Sequence, residues 1–169
     1  MEEIYSETYL KAKPPTKRML LRFGLIFLAV FVLLVGLFTM LLIGTSLVFV
    51  VTVVVAGIIF FLLPTNNIAY EYIFVDGQID FDRILGGAKR KTMTRTDLSK
   101  IEVVAPEGSH KLDGFRHLPL IDYSSGYSND RHFIAVSIGE KGTEQIRFTP
   151  DEKMLKMMQY KAPSKIMME

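Results

Sequence analysis

The residues best equipped for chemistry in this 169-residue chain lie in two short stretches and three scattered histidines. The first stretch is Lys89-Arg90-Lys91, with Arg95 close behind. Bases so spaced attract anionic lipid headgroups, at about 1 kcal/mol each near a membrane surface. The same bases also suit a charged edge strand that resists unwanted pairing. The run is not a nucleotide P-loop, because Arg90 stands where the glycine before Lys-Thr is required. The second stretch is Asp122-Tyr123-Ser124-Ser125-Gly126-Tyr127. Two tyrosines around small residues fit a contact with a partner protein, through Tyr123, Ser124, Ser125, Gly126 and Tyr127. They fit equally a structural turn whose tyrosines pack inward, and that plainer reading is favoured.

Ser125 near Asp122 and His132 raises the thought of a hydrolase, but the surrounding residues are not G-x-S-x-G and no helix pattern follows. His110, His117 and His132 lack metal-ligand spacing. With no cysteine there is no thiolate nucleophile and no Cys-based metal site. The expectation is therefore no catalytic residue, no metal and no cofactor. Net charge is +2 overall, and bases balance acids from residue 68 onward. That argues against nucleic acid as a partner.

The elements that position these residues divide sharply. From Phe23 to Leu63 the chain has no Asp, Glu, Lys, Arg, His, Asn or Gln. One helix of that length would run about 60 Å, twice a bilayer's hydrocarbon core. Two spans fit better, residues 23–43 and 47–63, with Gly44-Thr45-Ser46 as the turn between them and Pro64 as the stop. The second span is valine-rich, but an isolated strand in lipid leaves its backbone unpaired, so it must be helix. The run is too long for a signal-peptide core and lacks a small-residue cleavage site. Lys11, Lys13, Lys17, Arg18 and Arg22 precede it, the turn is uncharged, and bases resume at Arg83. Excess positive charge marks the inside, so both termini are expected in the cytoplasm of a multi-pass cell-membrane protein. Residues 1–22 then form a cytoplasmic N-terminal segment. Thr52-x-x-x-Ala56 is a small-residue signal for helix contact. No ionisable residue lies mid-span, which argues against a transporter.

After the spans the period changes to two. Ile68–Val75 and Gln78–Leu85 read as strands joined by the hairpin turn Asp76-Gly77. Lys89–Arg95 and Ile101–Ala105 follow, with a helical turn between them capped by Thr96 or Asp97. Leu118–Tyr123 is an edge strand, given Pro119. Arg131–Ile138 and Thr143–Thr149 form a last hairpin, and a helix starts with Thr149 as N-cap, Pro150 and a capping-box Glu152. Its apolar face is Met154, Leu155, Met157 and Met158, packing on the domain or, with Ile166, Met167 and Met168, against a partner. Residues 162–169 are expected to form a flexible tail.

The run YEYIFVDGQIDFDRILGGAKRKTMTRTDLSKIEVV, with its first hairpin, basic third strand and Asp97-Leu98-x-x-Ile101 turn, resembles the opening of a bacterial pleckstrin-homology-like domain. The whole chain resembles a family of small bacterial two-span membrane proteins carrying such a domain. The resemblance implies a PH-like bent antiparallel sheet, or partly open barrel, of about seven strands over residues 68–161, capped by a C-terminal helix. It does not carry over a phosphoinositide site. Eukaryotic relatives place theirs in the first hairpin loop, which here would be only Asp76-Gly77. The function expected is a membrane-tethered, non-catalytic binding or scaffolding module in contact with membrane lipids through Lys89, Arg90, Lys91 and Arg95. The alternatives are an accessory subunit of a membrane complex, with a membrane protein or a second copy as partner, and a membrane-surface enzyme.

Overall fold

The computed structural model describes residues 5–139 and 142–168. It divides into two units. One comprises the residues up to Lys13 together with those from Asn67 onward, and the other is Pro14–Asn66.

The first unit is mainly β. Strands β1 (Tyr5–Ala12), β2 (Ile68–Val75), β3 (Gln78–Leu85) and β4 (Lys89–Asp97) form an antiparallel sheet in that order. Strands β5 (Ile101–Pro106), β6 (Leu120–Asp122), β7 (Phe133–Gly139) and β8 (Gly142–Phe148) form a second sheet in the order β5-β7-β8-β6. Its short edge strand β6 runs parallel to β8, in keeping with Pro119 just before it. The expected turn between β7 and β8 includes residues 140 and 141, which lie outside the described residues. Asp76-Gly77 makes the tight turn between β2 and β3, with positive φ at both positions, 46° and 102°. That is the geometry of a two-residue hairpin turn.

The two sheets bury their facing side chains against each other. Tyr72, Phe74, Ile79 and Phe81 from the first sheet meet Val104, Phe133, Ile146 and Phe148 from the second in one core cluster. The aromatic rings pack edge to face: Phe81 lies 5.5 Å from Phe148 at 87°, and Tyr72 lies 5.7 Å from Phe148 at 82°. The buried Tyr72 hydroxyl donates to the Tyr123 carbonyl at 2.6 Å and accepts from the Thr149 N–H at 3.2 Å. Helix α3 (Glu152–Lys161) covers the core with Met154, Leu155 and Met158.

Several sequence expectations are corrected here. The N-terminal segment holds β1, which pairs with β2 along its whole length, from Tyr5↔Val75 to Ala12↔Ile68. The domain thus begins before the apolar hairpin, and its strands among the described residues number eight. The N-cap of α3 is Asp151, whose carboxylate accepts from Met154 N at 2.8 Å; Thr149 is used elsewhere. The segment expected to fray is docked. Val104 N donates to Lys165 O and Met167 N to Val104 O, both at 2.8 Å, and Ile166 is buried. These bonds cover the free edge of β5, an edge that would otherwise invite pairing.

The second unit is two helices, α1 (Thr16–Ile43) and α2 (Ser46–Phe61). Gly44, in the left-handed conformation, ends α1 and returns its N–H to Met40 O at 2.8 Å. The helices lie close together at Gly36, where an added Cβ would collide with Thr52 Oγ1. Ala56, one turn beyond Thr52, is buried as well. Thr39 and Thr52 return their hydroxyls to the carbonyls of Val35 and Phe49, each at 2.8 Å. Away from that seam the surface is apolar and exposed, from Phe27 and Leu41 to Phe61.

Candidate functional site

The bases of β4 divide into two sets. Arg90 reaches across the outer face of the first sheet and forms ion pairs with Glu71 and Asp82, carboxylates that stand directly opposite each other and are almost fully buried. Arg95 grips Asp80 with two bonds, Nε to Oδ1 at 2.8 Å and Nη2 to Oδ2 at 2.6 Å. The Asp80 hydrogen bonds and charge hold the Arg95 pKa above its ordinary value. Lys89 and Lys91 are exposed, and among the described residues neither takes part in an ion pair.

The register explains the split. A bulge opposite Phe81/Asp82 shifts the β3–β4 pairing, so that Phe81 pairs with Thr94 but Asp82 with Thr92. Beyond it Lys91 pairs with Arg83 and Lys89 with Leu85, on the face that carries Phe81 and Tyr72 nearer the core. Arg83 is half-buried, and its Nε is buried without a hydrogen-bond partner among the described residues. Arg83, Lys89 and Lys91 thus form a cluster of bases on one face at one end of the sheet. The sequence reading missed Arg83, because alternation along β3 does not reveal that a bulge in β4 turns Lys89 and Lys91 to the face of Arg83. Arg95 lies six residues from Lys89 along the strand, about 20 Å away.

The tyrosine loop is mostly interior. Tyr123 packs in the core, 5.5 Å from Phe81 and 5.7 Å from Tyr70, and its hydroxyl lies 2.8 Å from Thr94 Oγ1. Ser124 and Ser125 are buried. Ser124 Oγ donates to Asp122 Oδ1 at 2.7 Å, and Ser125 Oγ donates to Asp130 Oδ2 at 2.5 Å. Their small hydroxyls close a turn upon itself, as Asx and Ser turns do. Asp122, Gly126 and Tyr127 remain exposed.

The same loop answers the hydrolase question. Both ring nitrogens of His132 are occupied: Nε2–H donates to the Tyr127 carbonyl at 2.9 Å, and Nδ1 lies 2.9 Å from Thr149 Oγ1. Thr149 Oγ1 in turn accepts from Ser125 N at 3.1 Å. Asp122 binds Ser124 and Arg147 instead of the histidine. Ser125, His132 and Asp122 are therefore not strung together as nucleophile, base and orienting acid. Among the described residues no three His, Asp or Glu side chains converge as a metal site would require.

The loop is also fastened to the strand that leads into the helices. Lys13 N donates to Ser125 O at 2.8 Å, and a Cβ on Gly126 would touch the Lys13 side chain at 3.5 Å. On the return side, Gly86 N in the β3–β4 turn donates to Asn67 O at 2.9 Å. Lys13, Asn67, the Gly86-Gly87 turn, the Arg83–Lys89–Lys91 cluster and Tyr127 therefore gather at one end of the β unit.

Two four-stranded sheets around one core, followed by a C-terminal helix, agree with the coarser part of what the sequence resemblance implied, a mainly-β domain closed by a helix. The family model described as bacterial PH-like domain (DUF6106) matches residues 2–168. The chain belongs to this family. No curated protein and no solved structure matches it. PH-like domains are in general non-catalytic binding modules. In this bacterial PH-like chain the first hairpin is β1–β2, not β2–β3, so its connecting loop is not Asp76-Gly77. It is residues 13–67, which contain both apolar helices.

Proposed function

We propose that this bacterial PH-like chain is a non-catalytic binding or scaffolding module held at the cell membrane by two spans, with its β unit in the cytoplasm. One observation carries the reading. β1 precedes the apolar helices, β2 follows them, and the two strands pair over eight residues. Paired strands occupy one compartment, so the intervening chain crosses the bilayer an even number of times. Helix α1, 28 residues or about 42 Å, is ample for a crossing, and α2, 16 residues or about 24 Å, reaches one with its flanking turns. The window of α1 most apolar in character is 6% buried, which argues against a soluble core helix. Cleavage after α1, as for a signal peptide, would strip β1 from its sheet. The bases before α1 and after α2 favour the cytoplasmic side for the β unit.

The test exploits the absence of cysteine. Thr45→Cys in the turn and Ser99→Cys in the β unit are each probed in intact cells with a membrane-impermeant maleimide. Thr45→Cys should label from outside, and Ser99→Cys only after permeabilisation. The reverse pattern, or recovery of the chain in the soluble fraction without detergent, overturns the reading.

A further inference from the structure

We infer that the outer edge of β5 is a binding site for an extended peptide segment of a partner protein, and that residues 163–168 are a strap filling it in cis until such a segment displaces them. The inference rests on the reading of the β unit as a binding module and names the class of its ligand; it does not need the spans.

Four observations carry it. First, the strap is seated as a ligand strand is seated. It runs parallel to β5 through the bridge Val104↔Ile166, with Val104 N donating to Lys165 O and Met167 N to Val104 O, both at 2.8 Å. Its side chains alternate as in a strand: Ile166, 1% exposed, and Met168 pack on the core between the sheets, while Met167 packs on the separate apolar cluster of Val103, Ala105 and Leu112. Main-chain bonds to a sheet edge, with places for alternate side chains, are how a β domain reads an extended peptide. Second, polar groups read the strap at both ends. Lys165 Nζ donates to Leu98 O at 2.8 Å and to Ser99 O at 3.2 Å, and Arg131 donates to Met168 O. The segment that fits is therefore a base, then a buried aliphatic residue, then two apolar residues. Third, the strap is lightly held. Its ladder is one bridge, whereas β7 and β8 pair over seven residues. The turn leading into it is closed by Lys165 N on Ala162 O at 3.1 Å. So short a ladder opens locally without unfolding the domain. Fourth, the strap leaves part of the groove open. A cleft of about 760 Å³, lined by residues 106–111 and Met167, lies where β5 ends, and the strap runs parallel to β5 toward it. A partner segment that continues past the position of Met168 enters this cleft, a contact that favours it over a competitor tethered in cis.

The experiment uses the full chain in detergent and, as probe, a fluorescent synthetic peptide with the sequence of residues 161–168. Lys165→Ala in the chain removes the latch on Leu98 and Ser99 but leaves Ile166 in place. The strap then opens more often, and the peptide, which brings its own lysine, should bind about tenfold tighter than to the parent chain by fluorescence anisotropy. Ile166→Asp in the peptide, or an N-methyl group on its residue matching Met167, should abolish binding, because the first cannot enter the core and the second loses the bond to Val104 O. A second measurement needs no variant: hydrogen exchange in the parent chain should show the strap amides at least about tenfold less protected than those of β7 and β8. Equal affinity for the parent and Lys165→Ala chains, binding of the aspartate peptide, or protection of the strap equal to that of β8 overturns the inference. So does self-association of the parent chain that is lost with Ile166→Asp, because the occupant would then be a second copy. Co-flotation of the chain with lipid vesicles is read in parallel. A chain that takes the peptide but does not float sinks the anchored reading alone, and one that floats but does not take the peptide sinks this inference alone.

Discussion

Arg90 and Arg95 look interchangeable in the sequence, yet their surroundings assign them different costs. Glu71 and Asp82 are buried like charges in direct cross-strand register, and Arg90 is the cation between them. Removing it leaves two carboxylates facing each other with little water. A broken buried pair costs about 3–5 kcal/mol, and the half-exposed guanidinium reduces this to roughly 2 kcal/mol. Arg90→Ala should therefore lower the thermal midpoint clearly, whereas Arg95→Ala, at an exposed pair, should leave it in place; differential scanning fluorimetry in detergent decides. Tyr72 gives a second residue-scale prediction. Burial, the largest effect on it, pushes its hydroxyl pKa well above the ordinary value of 10.0. The folded state therefore holds Tyr72 neutral where the unfolded chain ionises. Its contribution is complete below about pH 10 and is lost as pH rises through the interval up to the folded value. Tyr72→Phe should be less stable by about 1 kcal/mol at neutral pH, through its lost hydrogen bonds, and should show a shallower alkaline decline than the parent. Parallel alkaline slopes in a pH series of denaturant melts would contradict this.

At the scale of elements, the seam between α1 and α2 is set by one glycine. A side chain at Gly36 would occupy the space of Thr52, while a Cβ at Gly57 meets nothing within 4 Å. Gly36→Leu should force the helices apart, and Gly57→Ala should be silent. Crosslinking between cysteines placed at facing positions of α1 and α2 reads the difference: loss in the first variant and retention in the second. The seam also shows what the sequence conveyed. The limits of the apolar run, the Asp76-Gly77 turn and strands β2, β3 and β5 were all visible, because there apolar periodicity and turn residues agree with the fold. β1 was hidden because its inward residues include the polar Ser6 and Thr8 beside Leu10 and Ala12, while Tyr5 and Tyr9 face outward, so its apolar alternation is blurred. Thr149 looked like a helix cap because the capping box is a local pattern, but Ser125 and His132 recruit its hydroxyl from distant segments. Docking of Ile166 on β5, and burial of the tyrosine loop, likewise depend on contacts far along the chain. The basic cluster was half visible: Lys89 and Lys91 stood out by type, but only the β3–β4 bulge brings Arg83 to them.

At the scale of the molecule, the pair of apolar helices is an insertion inside a β-hairpin. That arrangement makes the domain's integrity depend on residues that precede the helices. A fragment starting at Ile68 lacks β1, so it exposes the free edge of β2 and uncovers the side of α3 on which Thr8 Oγ1 meets Met154 Sδ. Such a fragment should aggregate or melt early, since an uncovered strand edge invites intermolecular pairing. The opposite surgery should succeed. Ala12 and Ile68 are register partners, so an Asn-Gly turn replacing residues 13–67 closes β1 onto β2 as a two-residue hairpin, without a long loop. The chain so shortened should be soluble without detergent, melt cooperatively and keep the far-ultraviolet signature of a β-rich fold. The fragment 68–169, made in parallel, should do none of these. If the two behave alike, the β1–β2 ladder is dispensable. The β1–β2 pairing would then no longer require an even number of membrane crossings, because a strand that contributes nothing to the fold places no constraint on the compartment in which the chain before α1 resides.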